Sequence, residues 1–176
     1  MALRPTLGQQ IDLALRRSIP VALAVLLLFL GLLPWDTHGL GPMNANLVLI
    51  PIYYWTLYRP QLMTVWAVAT LGLISDFLLG TLLGVNMLTF LVGYRVAVAQ
   101  RKIFAGAPFI IVWAGFLLMS GVAGLVQWLL ATIVREQIDF NLRPALFLYM
   151  IGVVAYPPCA YVFAWIQRRS LVRVAQ

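Results

Sequence analysis

Few side chains in this sequence could do chemistry. There is one histidine, His38, two residues from Asp36, and one cysteine, Cys159. A single histidine and a single cysteine do not assemble a Cys/His metal site, and the lone thiol permits no internal disulfide. No GxxxxGK[ST] phosphate loop, HExxH zinc helix or GxSxG nucleophile elbow occurs. Nothing in the spacing positions a serine against His38, so no catalytic, cofactor-binding or metal site is expected. The residue that stands out is Asp76, the only acidic side chain inside a predicted span, where a charge is costly. Gly72, Gly80 and Gly84 flank it at four-residue spacing, which sets Gly72, Asp76 and Gly80 along one side of a helix. Two readings stay open. The small residues form a helix-packing seam with one carboxylate as its polar contact, or Asp76 binds the backbone N–H groups that start the next helix. A proton relay or ion site needs more polar partners than are visible.

The elements that hold these residues follow from composition. Of 176 residues, 63% are apolar and 10% charged. A soluble domain carries about 25% charged residues, so disordered chains, disulfide-stapled modules and ordinary cytosolic enzymes are excluded. An all-α, polytopic membrane protein of one domain, residues 1–176, is expected. Crossing a roughly 30 Å hydrocarbon core takes about 20 apolar residues in a helix. Apolar segments at 18–34 and 44–58 are the first two spans. Leu62–Gln100 is one apolar stretch interrupted only by Asp76 and Arg95. As one helix it would be roughly 58 Å long, so it must fold back. Gly80-Thr81-Leu82-Leu83-Gly84 is the expected turn, giving spans 62–79 and 83–100. Segments 107–134 and 142–167 complete six.

The net charge of +7 tests that count. With the N-terminus inside, Arg4, Arg16, Arg17, Arg59, Arg95, Arg101, Lys102, Arg168, Arg169 and Arg173 all face one side, and only Arg135 and Arg143 face the other. This is the positive-inside pattern, with both termini cytoplasmic. A five-span arrangement would put one terminal arginine cluster outside. The charge is therefore a topology signal, and no nucleic-acid partner is expected. Arg16-Arg17 precede an apolar run as in a signal peptide, but no small-x-small cleavage site follows, so a retained anchor is expected. Residues 1–17 form a short cytoplasmic arm.

Several features inside the spans carry expectations. The stretch from Pro60 to Tyr94 is shorter than the roughly 40 residues that two crossings need, so the third and fourth helices are expected to be short. Pro51, Pro157 and Pro158 are candidate kinks that free the carbonyls of Leu47, Val153 and Val154, with Tyr156 displaced from helical backbone by the proline after it. Such breaks either shape packing or line a cavity. Tyr53, Tyr54, Trp55 and Tyr58 read as an interfacial belt at the inner end of the second span, and Trp35 as its counterpart at the outer end of the first. Gly115, Ser120, Gly121 and Gly124 suit close helix contact in the fifth span. The loop from Arg135 to Arg143 is the one outer segment of mixed charge and an outward-facing docking site.

On Pro51, Arg59-Pro60, Gly72-Leu73-Ile74-Ser75-Asp76, Gly80 and Leu83-Gly84, taken in that order within six short-looped spans, the sequence resembles the MreD family of rod shape-determining membrane proteins. The family pattern often reads Asp, a glycine, then Pro-Leu-Gly; here Leu82 stands where that proline would be. The resemblance implies a non-enzymatic scaffold of the bacterial cell-elongation machinery in the cytoplasmic membrane, without a cofactor. It implies MreC as a direct partner, within a complex of MreB, RodA and a class-B penicillin-binding transpeptidase that builds lateral peptidoglycan. It also implies an architecture similar to the substrate-binding subunits of energy-coupling-factor transporters. The partner interface is expected at Gly72, Asp76, Gly80, Gly84, Gly121 and Gly124. The rival reading is a vitamin-like small-solute binding subunit of a transporter, with a central cavity opened at Pro51, Pro157 and Pro158.

Overall fold

A computed structural model describes residues 7–32, 44–104, 106–135 and 143–171, and the regular secondary structure among them is entirely helical. Six helices follow in order: α1 (Leu7–Leu32), α2 (Asn44–Tyr58), α3 (Val65–Leu79), α4 (Val85–Phe104), α5 (Phe109–Arg135) and α6 (Arg143–Leu171). Trp35, Asp36, His38 and most of the mixed-charge loop lie outside the described residues.

The expected segment 44–58 coincides with α2, and the helix bounds of the other segments shift. α1 starts at Leu7 rather than at 18, which puts Pro20 in its interior. α3 starts at Val65 rather than 62 because Thr64 caps it. That residue is extended (φ −88°, ψ 159°), and its hydroxyl accepts from the Ala67 N–H at 3.3 Å. α4 starts at Val85 and continues to Phe104, past the expected end at 100. Arg95 is therefore exposed within α4, with about two and a half turns beyond it, and not at the helix end. α5 and α6 replace the expected 107–134 and 142–167 with Phe109–Arg135 and Arg143–Leu171. Two segments are long and apolar enough to cross a membrane, Phe109–Leu130 and Tyr149–Arg169. Ser18–Gly31, Leu47–Tyr58 and Val65–Leu79 are apolar but shorter.

α2 is the axis of the fold and touches all five other helices. Every residue from Val48 to Leu57 is buried. A helix apolar on all sides has no face to give to its surroundings and becomes core. This corrects the expected aromatic belt: Tyr53, Tyr54 and Trp55 are interior side chains, and only Tyr58, 39% exposed, remains at the surface. The Tyr53 ring packs edge-on against Phe116 of α5 and Tyr156 of α6, with centroids 5.6 and 5.9 Å away. Phe116 and Tyr156 stack at 4.5 Å. Within this cluster the Tyr53 hydroxyl donates to the Val112 carbonyl at 3.0 Å.

The prolines do not interrupt their helices. α2 runs through Pro51, and α6 through Pro157 and Pro158. Tyr156 stays helical, against the expectation from its following proline, because its buried ring is fixed by Tyr53 and Phe116. The Val153 carbonyl that Pro157 deprives of its helical donor accepts instead from the Trp113 indole N–H at 3.1 Å.

Candidate functional site

α3 and α4 form an antiparallel hairpin around Asp76. α3 ends at Leu79, and Gly80 takes the left-handed conformation (φ 60°, ψ 25°) that stops a helix. Its N–H and that of Thr81 both return to the Asp76 carbonyl. Gly84, at φ 102°, ends the connector immediately before α4. Gly84 has no side chain with which to cap the helix that follows, and Asp76 supplies the missing acceptor from the preceding helix. One carboxyl oxygen accepts from the Gly84 N–H at 2.8 Å and from Met87 N–H at 3.5 Å. The other accepts from Asn86 N–H at 2.9 Å and from the Thr81 hydroxyl at 2.9 Å. Three otherwise orphaned donors of the α4 start are satisfied by one side chain. A negative group at a helix N-terminus also gains from the dipole, typically by about 0.3–1 kcal/mol and up to about 2 when partly buried.

The carboxyl is itself 1% exposed. A buried carboxylate without partners costs several kcal/mol, so the cap and the burial are one arrangement: neither persists without the other. Further donors point the same way. The Gln127 amide of α5 donates to the Asn86 side-chain oxygen at 3.2 Å, and the Asn86 amide donates to Thr81 Oγ1 at 3.0 Å. Thr81 in turn donates to Asp76, so the chain of hydrogen bonds runs from α5 to the carboxyl and each member polarises the next. Both oxygens are engaged. Among the described residues no group of three His, Cys, Asp or Glu side chains could hold a metal.

The six glycine and aspartate positions expected at an interface separate into distinct roles. Gly72 faces α4 so closely that a methyl group there would overlap the Met87 backbone. Gly80 and Gly84 lie outside the helices, in the turn, with open space around them, so they are not part of a packing stripe with Gly72. On α5, Gly121 has only the Tyr149 ring at 3.9 Å and Gly124 nothing within 4 Å. The close contacts of α4 and α5 are instead at Gly93, facing Leu49 and Met119, and at Gly115, against Tyr53 and Phe104. Reading for charged residues passes over Asn86 and Gln127. The available signal was one uncharged amide at the apolar start of α4 and another within the apolar α5, where a polar side chain seeks another.

A family model described as rod shape-determining protein MreD matches residues 12–166, from α1 to α6 and including the whole hairpin. The chain belongs to the MreD family. No curated protein and no solved structure matches it. MreD is a membrane family of shape-determining proteins, so this chain's role lies in rod-shape determination at a membrane. Its two long apolar segments are compatible with insertion.

Proposed function

We propose that this MreD-family chain is a non-catalytic scaffold of the elongation machinery, which binds a transmembrane helix of MreC and so helps to control lateral peptidoglycan synthesis. It is a single domain, 1–176, crossing the bacterial cytoplasmic membrane six times with both termini inside, in an architecture similar to energy-coupling-factor substrate-binding subunits. The ten-to-two bias of basic residues supports that orientation. MreB, RodA and a class-B penicillin-binding transpeptidase complete the assembly, and the bilayer solvates the remaining surface.

The observation that carries the reading is the hairpin. Its inner face is consumed by Asp76 and by the contact of Gly72 with α4, while the opposite face of α3 is apolar and open. Trp66 is 82% exposed, Ile74 43% and Phe77 72%, and Leu82 and Leu83 extend this surface at the turn. A rigidly built element with one open face suits docking of another helix better than chemistry. Gly121 and Gly124, with room above them, offer a second small-residue contact on α5.

The rival reading, a solute-binding transporter subunit, needs space beside Pro51 and Pro157. The rings of Tyr53, Phe116 and Tyr156 occupy that region in mutual contact, which favours the scaffold. The test is co-purification with MreC. Trp66→Ala combined with Phe77→Ala leaves the core untouched and should lower recovery of the complex at least fivefold at equal expression. Undiminished recovery would remove α3 from the interface.

A further inference from the structure

Beyond the shape role, and resting only on the membrane placement of the chain, we propose that the outer face of α6 is a binding site for an anionic phospholipid. The segment Tyr149–Arg169 is one of the two stretches long and apolar enough to span, and it terminates in Arg168 and Arg169. Along its exposed side Val154, Pro158, Tyr161 and Trp165 follow at helical spacing and lead to Arg169. Val154 is 70% exposed, Tyr161 77% and Trp165 50%, so this stripe belongs to the surroundings rather than to the core.

At its polar end the Arg169 guanidinium lies over the Trp165 ring, 4.3 Å from the centroid. An arginine stacked on an aromatic face is held in one place by the cation–π attraction and keeps its N–H edges free for a planar, bidentate acceptor. Arg168 is exposed beside it and within electrostatic reach of the Tyr54 hydroxyl, which donates to Gln167 at 3.2 Å and ties this end of α6 to α2. Among the residues whose side chains are described, which leaves out Asp12 of α1, no salt bridge involves either arginine, and the acidic one is Asp76, whose oxygens are both engaged. Among the described side chains, then, no counter-charge faces these two cations at the end of the apolar stripe, and Trp165 holds Arg169 in place. The complement is a molecule with a phosphate at one end and acyl chains at the other. The chains lie along Val154, Pro158 and Tyr161, Trp165 sits at the level of the glycerol, and the two guanidinium groups hold the phosphate.

The experiment uses the full chain in a neutral maltoside detergent. It is titrated with dioleoylphosphatidylglycerol, dioleoylphosphatidylcholine, inorganic phosphate or polyglutamate, with binding read by native mass spectrometry and by the unfolding midpoint. Phosphatidylglycerol should bind and raise the midpoint, and the other three should do neither at the same concentration. At roughly a fivefold effect per arginine near a headgroup, R168Q/R169Q should weaken phosphatidylglycerol binding about tenfold or more. W165A should weaken it about threefold, and R101Q/K102Q should leave it within twofold. Equal binding of phosphatidylcholine would reduce the site to an ordinary lipid-facing surface. Equal losses in R101Q/K102Q would reduce it to net charge, and a stronger response to polyglutamate would assign the arginines to a protein partner. Any of these overturns the proposal. Because MreC is absent from the assay, its outcome is independent of the scaffold reading.

Discussion

The α3–α4 hairpin and the α2–α5–α6 centre hold helices together by opposite means. In the hairpin, one carboxyl takes four donors, and a glycine lets two backbones meet at Met87. In the centre, Tyr53, Phe116, Tyr156 and Phe163 fill the space with rings; the Tyr53 hydroxyl and the Trp113 indole each reach a single carbonyl, and the buried Trp55 indole N–H and Thr56 hydroxyl reach no partner. The hairpin has two neighbouring elements to fix and little surface with which to fix them, since α3 exposes one side. Directional bonds suit that case. The centre has two helices, α5 and α6, converging on α2, and bulk suits it. The polar lock is all or nothing, because each orphaned donor in an apolar setting carries its own penalty. The aromatic lock yields by degrees, as each lost contact removes only its share of dispersion and burial.

That contrast can be broken at its strictest point first. Gly72→Leu forces a side chain into the Met87 backbone, where nothing can swing aside. It should cost more than about 3 kcal/mol of unfolding free energy in detergent, or prevent folding. Gly124→Leu, facing open space, should change stability by less than about 1 kcal/mol, and comparable losses from both would dissolve the distinction. Next in size, Asp76→Ala leaves the Gly84 and Asn86 N–H groups and the Thr81 hydroxyl unpaired and should cost about 2–3 kcal/mol. Asp76→Asn should recover less than half of that, because its amide turns a donor toward donors. Hydrogen exchange in the first turn of α4 should rise in both variants while the Tyr53–Phe116–Tyr156 region stays protected. The smallest effect is expected in the centre, where Trp113→Phe keeps the ring and removes only the donor to Val153. A loss of about 1 kcal/mol, at the scale of single polar contacts between membrane helices, would show the graded behaviour. A loss as large as that of Asp76→Ala would show that the centre too depends on a polar lock.

The hairpin was legible in the sequence to a useful degree. A charge in an apolar stretch, followed by two glycines, implied a fold-back and a carboxylate with a task near the turn. Of its two open readings, the hydrogen bonds are those of a cap for α4. The remainder of the network was not legible. Thr81, Asn86 and Gln127 come together only because α4 and α5 pack with a particular register, and nothing local announces which apolar helix will meet which. The same reason explains the misplaced aromatic belt. Tyr53-Tyr54-Trp55 before Arg59-Pro60 has the composition of an interfacial belt, and whether such rings face lipid or protein depends on how many helices surround the one that carries them.

Composition and order alone pointed to an all-helical chain suited to a membrane, and the helices of the described residues and the family agree with that. That reading follows from the cost of charge in hydrocarbon and from the length of helix needed to cross it, both of which act on the chain residue by residue. Tertiary structure decided which residues meet. It made α2 the buried axis, kept α6 helical through Pro157 and Pro158 by stacking Tyr156, gave the freed Val153 carbonyl to Trp113, and separated the glycine that packs from the glycines that turn. Those outcomes depend on side chains distant in sequence competing for the same volume, and a linear pattern does not encode that competition until the helices are in place.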